Sequence, residues 1–294
     1  MKNKVRVDYK RLDYMQASHG VMNVLRLVCT SLLLAAWFYW APHYLEMWVY
    51  ALLSLPLCII HQRELSEWIH EAAHFNLVPD KTWNDRLTLV FAGFFFANDI
   101  KAHRFGHNQH HRQKQFFVEN DPDTRLFRLT SKQAFLQEVL RDLSGITALK
   151  MFTTRTGERC PSPTPHFFIK LVLFQSALLG TLLWLGRVEV YVLYYFTLVT
   201  LYPLLNRLRL YGQHVELGPN GEVALISGVS RTIDAGLWDR LFFTSDVMMY
   251  HYEHHAYPDL PYRALVKMPK AEGDENAFSR RRLSLIRDIY RRLP

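Results

Sequence analysis

The apolar residues of this chain collect into four long runs, at residues 24–41, 44–60, 167–185 and 190–205, with polar sequence before, between and after the two pairs. A bilayer core about 30 Å thick takes roughly 17–25 mostly apolar helical residues, so each run reads as a membrane span. The charges they contain, Arg26, Glu46 and Lys170, lie near a run's start, where a long side chain can reach the headgroups. Within each pair the break is short: Pro42 and His43 in one, residues 186–189 in the other. Each pair is therefore expected to be a helical hairpin, which places every long polar segment on one side of the membrane. A fifth apolar stretch, residues 87–97 with Phe94, Phe95 and Phe96, is too short to span and is expected to lie in the interface or re-enter.

Composition agrees with this plan. With 294 residues, 49% of them hydrophobic, a disordered tail or linker is excluded. The mean hydropathy of -0.08 would suit a soluble protein, but the average conceals the runs. Cys29, Cys58 and Cys160 are odd in number and far apart, which excludes a disulfide-stapled scaffold. The net charge of +8 comes largely from Lys2, Lys4, Arg6, Lys10 and Arg11 at one end and Arg280, Arg281, Arg282, Arg287, Arg291 and Arg292 at the other. Basic segments flanking apolar runs fit anionic lipid. No zinc-finger spacing, RNP-like segment or base-reading helix points to nucleic acid. Together with Arg104, Arg112, Arg207 and Arg209, the basic clusters make the polar side cytoplasmic, termini included. No small-residue cleavage site follows the first run, so it is expected to stay in the mature chain. Residues 279–293 space Leu283, Ile286, Ile289 and Tyr290 helically among arginines, a pattern for the inner leaflet, an acidic partner or a helix packed on the rest of the protein.

Fourteen histidines add chemistry to the picture, nine of them grouped: His70 and His74 in HEAAH, His107, His110 and His111 in HNQHH, and His251, His254 and His255 in HYEHH, with His214 between the last two boxes. An HxxHH pattern is expected by chance roughly 0.03 times in such a chain, so two copies need another explanation. Residues i, i+3 and i+4 lie near one another on a helix, and imidazole is the commonest protein ligand for a transition metal. Nine imidazoles are too many for one ion and suit two. If the second span's helix continues past residue 60, His70 sits about 15 Å beyond the membrane core, and all nine can meet on the cytoplasmic face. His103, four before His107, is left outside the ligand set, and His19, His43, His61 and His166 are read as interfacial residues.

Three ordered boxes interleaved with two hairpins resemble the membrane fatty acid desaturase family, which includes acyl desaturases, hydroxylases and carotenoid ketolases. The resemblance runs from about Glu64 to Met268 and takes in Asn84 of TWNDR, Arg104 before HNQHH, Asp121-Pro122-Asp123 after it, and HYEHHAYPDLPY. It implies an all-α integral membrane protein, a single domain over residues 1–294. Four transmembrane helices in two hairpins would carry a cytoplasmic helical cap over a di-metal site. The implied iron ligands are His70, His74, His107, His110, His111, His251, His254 and His255, with His214 as the further imidazole. Gln213 stands where many relatives have Glu, Leu210 where some have a water-holding Asn, and His103 where many have an aromatic residue.

The implied cofactors are two iron ions, with dioxygen as co-substrate, because an unactivated C–H bond has no proton that a side chain could abstract. Glu71, Asp121, Asp123 and Glu253 are candidates to orient the rings, Glu71 and Asp121 foremost. The expected activity is desaturation of a fatty acyl chain carried on lipid, coenzyme A or a carrier protein. Hydroxylation, or ketolation of an isoprenoid, is the alternative on the same scaffold. No HPGG haem-binding segment is present, so a separate ferredoxin, rubredoxin or cytochrome-type donor is expected. Two rivals fit less of the chain. The HExxH of a zinc metalloprotease, with Glu71 as base, leaves two boxes unexplained. A metal transporter would place ligands at mid-depth, where these runs carry no histidine or aspartate.

Overall fold

A computed structural model describes residues 9–112, 131–154, 164–217, 223–224, 230–233, 235–243, 249–265, 278–279, 286–287, 290–291 and 293. The expected carboxylates Asp121 and Asp123, and most of the C-terminal segment 279–293, lie outside the described residues.

The chain is mostly helical. Helix α1 (Tyr9–Trp40) turns through a short 3-10 segment at Ala41–His43 into α2 (Met47–Ala73). Then come α3 (Lys81–Thr88), α4 (Ile100–Arg112), α5 (Lys132–Leu143) and α6 (Ile146–Thr154). The second apolar pair forms α7 (Pro165–Trp184) and α8 (Val188–Val199), and α8 runs on into α9 (Leu201–His214). Short pieces follow: α10 (Leu237–Phe242), α11 (His251–Ala256) and α12 (Tyr262–Leu265). Four two-residue strands, β1 (Glu216–Leu217), β2 (Val223–Ala224), β3 (Thr232–Ile233) and β4 (Phe278–Ser279), pair as β1 with β2 antiparallel and β3 with β4 parallel.

Among the described residues, three stretches are long and apolar enough to cross a membrane: Gly20–His43, Pro165–Trp184 and Val188–His214. Their apolar side chains are largely exposed, among them Leu32, Leu33, Val172, Leu173, Val192 and Phe196, which is the surface a lipid environment stabilises. The run expected at 44–60 does open α2, but its apolar part, residues 47–60, gives only about 21 Å of helix before polar residues begin. That half of α2 exposes Met47, Trp48 and Leu52, whereas from His61 onward almost every residue is buried. The fourth run is interrupted at Thr200, whose φ of -116° and ψ of -72° set the junction of α8 and α9. Pro203, three residues on, has no N–H for the Val199 carbonyl, and the Thr200 N–H and hydroxyl both donate to the Phe196 carbonyl, at 3.1 and 2.6 Å.

The two hairpin tips meet: Arg187 Nη2 donates to His43 Nε2 at 3.0 Å. All three boxes lie away from these tips, since α2 carries its histidines at its far end and α9 ends on His214. The short apolar stretch 87–97 does not span. It forms the end of α3, a π-helical turn at Leu89–Gly93 and an irregular return. A Cβ on Gly93 would stand 2.7 Å from the Asn98 carbonyl oxygen, so this tight return requires glycine. Phe94 packs on Phe167 and Phe174, Phe95 on Phe174 and Tyr194, and Phe96 on Tyr202, wedging the loop among α7, α8 and α9.

Candidate metal centre

Nine histidines on four helices converge into two adjacent clusters. The first holds His70 and His74 from α2, His107 and His111 from α4, and His254 from α11. The second holds His110 from α4, His214 from α9, and His251 and His255 from α11. Within each cluster one ring nitrogen per residue lies within 4.8 Å of all the others. These are the nine residues singled out in the sequence, and His103 stays outside, stacked on His107 with centroids 5.8 Å apart.

Helix geometry explains the division. At 100° per residue, the i and i+4 members of an HxxHH box diverge by about 40°, whereas the i+3 and i+4 members diverge by about 100°. His107 and His111 accordingly share one cluster, and His251 and His255 share the other. The i+3 rings, His110 and His254, each turn into the opposite cluster. Each HxxHH box thus serves both clusters rather than aiming three rings at one point, while His70 and His74 of the first box both serve one. The clusters abut where the His111 and His255 rings stack at 4.3 Å.

The nitrogens are spaced as a coordination shell requires. His107 Nε2 and His254 Nε2 both lie 3.0 Å from His111 Nε2, while His214 Nε2 and His255 Nε2 lie 2.8 and 3.1 Å from His251 Nε2. With metal–nitrogen bonds of about 2.1 Å, ligands at right angles stand about 3.0 Å apart. A single ring hydrogen cannot bridge two neighbours at once, whereas a cation can hold them all. Both ring nitrogens of His70 and the Nε2 of His74 are buried without a hydrogen-bond partner, the condition of donors that await an ion. The donor set therefore fits a pair of imidazole-bound transition ions.

Burial, and after it the neighbouring rings, hold His70, His107, His251, His254 and His255 well below the usual histidine pKa and push His111 down to about 2. Burial, aided by the Arg104 charge, lowers His74 to about 4. The rings are neutral near pH 7, as metal binding requires.

The clamp around the first box is built from residues that the sequence offered without a role. Helix α2 ends in a Schellman turn, Phe75 N donating to the Ala72 carbonyl at 3.1 Å and Asn76 N to the Glu71 carbonyl at 2.9 Å, with Phe75 left-handed at φ 59°. Arg104 donates to the Ala72 and Ala73 carbonyls at 2.9 and 3.0 Å, covers the Phe75 ring at 3.8 Å and pairs with Asp85. Asn84 Nδ2 also donates to the Ala72 carbonyl, at 3.0 Å, and its Oδ1 accepts from Leu77 N. These contacts fix α4 against the end of α2, and with it box two against box one. Asn76 Nδ2, donating to the Pro258 carbonyl at 3.0 Å, ties in the loop after box three.

His214 is held from another side. Arg207, two turns earlier on α9, is buried against Asp142 of α5 through Nε–Oδ2 and Nη2–Oδ1 contacts of 2.6 and 2.8 Å, with Glu138 at 3.1 Å. Asp142 and Glu138 carried no signal in the sequence, because the pairing spans about 65 residues with no local period. Of the candidate orienting carboxylates, Glu253 accepts from Thr232 Oγ1 at 2.5 Å. Glu71 is buried with its Oε1 3.9 Å from His70 Nδ1, beyond hydrogen-bond reach, and faces α1 and α12 through Asn23 and Tyr262.

The sequence model described as fatty acid desaturase matches residues 46–282, a stretch that contains every histidine of both clusters. The chain is also 23% identical over 253 residues to dihydrorhizobitoxine desaturase of Bradyrhizobium elkanii, covering 79% of this chain and 70% of that protein. The protein is thus an oxidoreductase of desaturase or hydroxylase type carried by a membrane protein, which sets aside the hydrolase and transporter readings. The chain belongs to the fatty acid desaturase family.

Proposed function

We propose that the protein is a dioxygen-dependent, non-haem di-iron enzyme that desaturates a fatty acyl chain. The observation that carries this reading is the division of nine imidazoles, five of them buried and four half-buried, into clusters of five and four, each spaced as a coordination shell. In this reading His70, His74, His107, His111 and His254 hold one iron, and His110, His214, His251 and His255 the other. Iron bound there supplies what no side chain can, the reduction of dioxygen to an oxidant for an unactivated C–H bond. The protein's own contribution is to keep the rings neutral, to lock the three boxes in register through Arg104, Asn84 and Arg207, and to wall the site from water. Asp121 acts as an orienting carboxylate, and Glu71, buried 3.9 Å from His70 Nδ1, supports the site as a nearby charge rather than as a hydrolytic base.

Desaturation converts –CH2–CH2– and dioxygen, with two electrons and two protons, into –CH=CH– and two waters. The electrons come from a separate ferredoxin, rubredoxin or cytochrome-type donor. Mass spectrometry of lipids and small metabolites from cells grown in labelled dioxygen, making either the protein or its His107→Ala variant, tests the reaction. The expected product is two hydrogens lighter than its precursor, free of label, and absent from the variant. Label in the product moves the assignment to hydroxylation, and undiminished product under anaerobic growth overturns the oxidative reading.

The reading includes four spans, with the boxes and both termini cytoplasmic. It is supported by the exposed apolar first half of α2 and by the meeting of the two hairpin tips at the end away from the histidines. In a cysteine-free background, Tyr44→Cys at the tip should react with an impermeant thiol reagent in intact cells, and Lys101→Cys near box two should react only after lysis. The opposite pattern would invert the topology.

A further inference from the structure

One face of α5 is apolar and exposed. Leu136, Leu140 and Leu143 stand on it, Leu140 being 65% exposed, and past the turn at Ser144 and Gly145 the stripe continues on α6 with Ile146 and Leu149, the latter 64% exposed. At 100° per residue the three leucines fall within about 60° of one another, with Gln133, Gln137 and Arg141 to one side and Glu138 and Asp142 behind. The face behind is the one that packs on the protein. Asp142 and Glu138 meet Arg207 at 2.6 and 3.1 Å, and the Phe135 ring lies 6.2 Å from that of Tyr211. None of the five apolar side chains is needed to hold α5 against α9.

The height of this helix pair relative to the spans says what covers the stripe. A Cβ on Gly145 would stand 3.6 Å from the Val199 carbonyl oxygen, and α6 packs on α8. Val199 ends α8, about 17 Å along that helix from the hairpin tip at Val188. The neighbouring α7 runs 20 residues, about 30 Å, from the same tip back to Pro165. The turn at Gly145 is therefore level with the middle of α7, near Val172 and Leu173, whose exposed side chains belong to the apolar belt. The stripe on α5 and α6 continues that belt, so the medium beside it is acyl chain and not water. Arg141, paired with Glu138, and Lys150 stand on the flanks of the stripe, where long side chains can reach back to the head groups.

We propose that α5 and α6 form a hairpin immersed in the leaflet on the histidine side, with Leu136, Leu140, Leu143, Ile146 and Leu149 against acyl chains. Helix α5 then carries lipid on one face and the buried Arg207–Asp142 pair on the other, so the bilayer backs the helix that ends on His214. The assignment rests on the reading of α7 and α8 as spans.

The test is the accessibility of single nitroxide labels in the full chain, placed in a cysteine-free background and held one chain per phosphatidylcholine nanodisc. Dioxygen collects among acyl chains, whereas a nickel chelate stays in water, so the two relaxing agents sort lipid from solvent. Labels at Leu140→Cys and Leu149→Cys should be open to dioxygen and closed to nickel, at a depth of about 5–10 Å inside the head-group boundary. A label at Gln137→Cys, on the polar flank, should be open to nickel. Nickel access at Leu140→Cys equal to that at Gln137→Cys overturns the proposal, since the stripe is then solvated. Closure of Leu140→Cys and Leu149→Cys to both agents overturns it too, because protein then covers the stripe. Should Leu140→Cys not fold, Leu136→Cys carries the same expectation. A label at Leu173→Cys on α7 separates this assignment from the one beneath it. Nickel access there sinks the reading of α7 as a span, whereas nickel access confined to the α5 and α6 stripe sinks the hairpin alone.

Discussion

His111→Ala and His110→Ala, though adjacent in sequence, are expected to strip different metal ions from the protein. On the di-iron reading proposed above, each variant should retain about one iron of two and lose more than about 100-fold in turnover, since even groups that only orient a ligand typically cost 10 to 100-fold. The reason lies in the helix: the two residues point about 100° apart on α4, His111 toward His107 and His254, His110 toward His214 and His255. Spectroscopy of the remaining iron should give two different signatures, one from a depleted five-histidine site and one from a depleted four-histidine site. The double variant should bind almost none, while all three proteins still insert into the membrane, because the apolar belt is untouched. Equal iron in both single variants with identical spectra would show that the rings act at one site and would dissolve the two-cluster reading.

That contrast marks where the sequence stops being informative. The identity of the nine residues was legible because imidazoles at i, i+3 and i+4 are rare by chance and chemically specific. Which ring faces which cluster was not, because it depends on the rotation of α4 and α11 about their own axes, which packing decides. The apolar runs likewise announced α1, α2, α7 and α8 but missed one junction. Helix α2 changes from exposed apolar to buried polar near His61 without breaking, since its polar half is stabilised by tertiary contacts such as Gln62 Nε2 with the Tyr194 carbonyl and Thr197 Oγ1 at 2.7 and 2.8 Å. The run at 190–205 hid a junction at Thr200, for which Pro203 was the available signal. Arg104 and Asn84 were noticed only as parts of a family pattern. Their work is to cap carbonyls at the end of α2, and contacts over 32 and 12 residues leave no trace in hydrophobic periodicity.

Arg207→Ala should be the most destabilising single change outside the histidines, by about 3–5 kcal/mol, because it leaves a buried carboxylate with no counter-charge. Asp142 is 0% exposed and Arg207 2%, so neither water nor salt can replace the lost partner. The two-pronged contact matters as well as the charge: Nε and Nη2 of Arg207 meet both oxygens of Asp142, and a lysine cannot reproduce that fork. Arg207→Lys should therefore lose part of the stability, while the pair Arg207→Met with Asp142→Leu should recover much of what Arg207→Ala loses, having removed both buried charges together. Denaturant titration in detergent, with iron content followed in parallel, measures both effects. Because Arg207 anchors the helix that ends on His214, Arg207→Ala should release iron from the four-histidine cluster before the five-histidine cluster, whose residues are held by α2, α4 and α11. Simultaneous release from both clusters, or stability unchanged in Arg207→Ala, would show that α9 is positioned by its continuation from α8 and not by this buried pair.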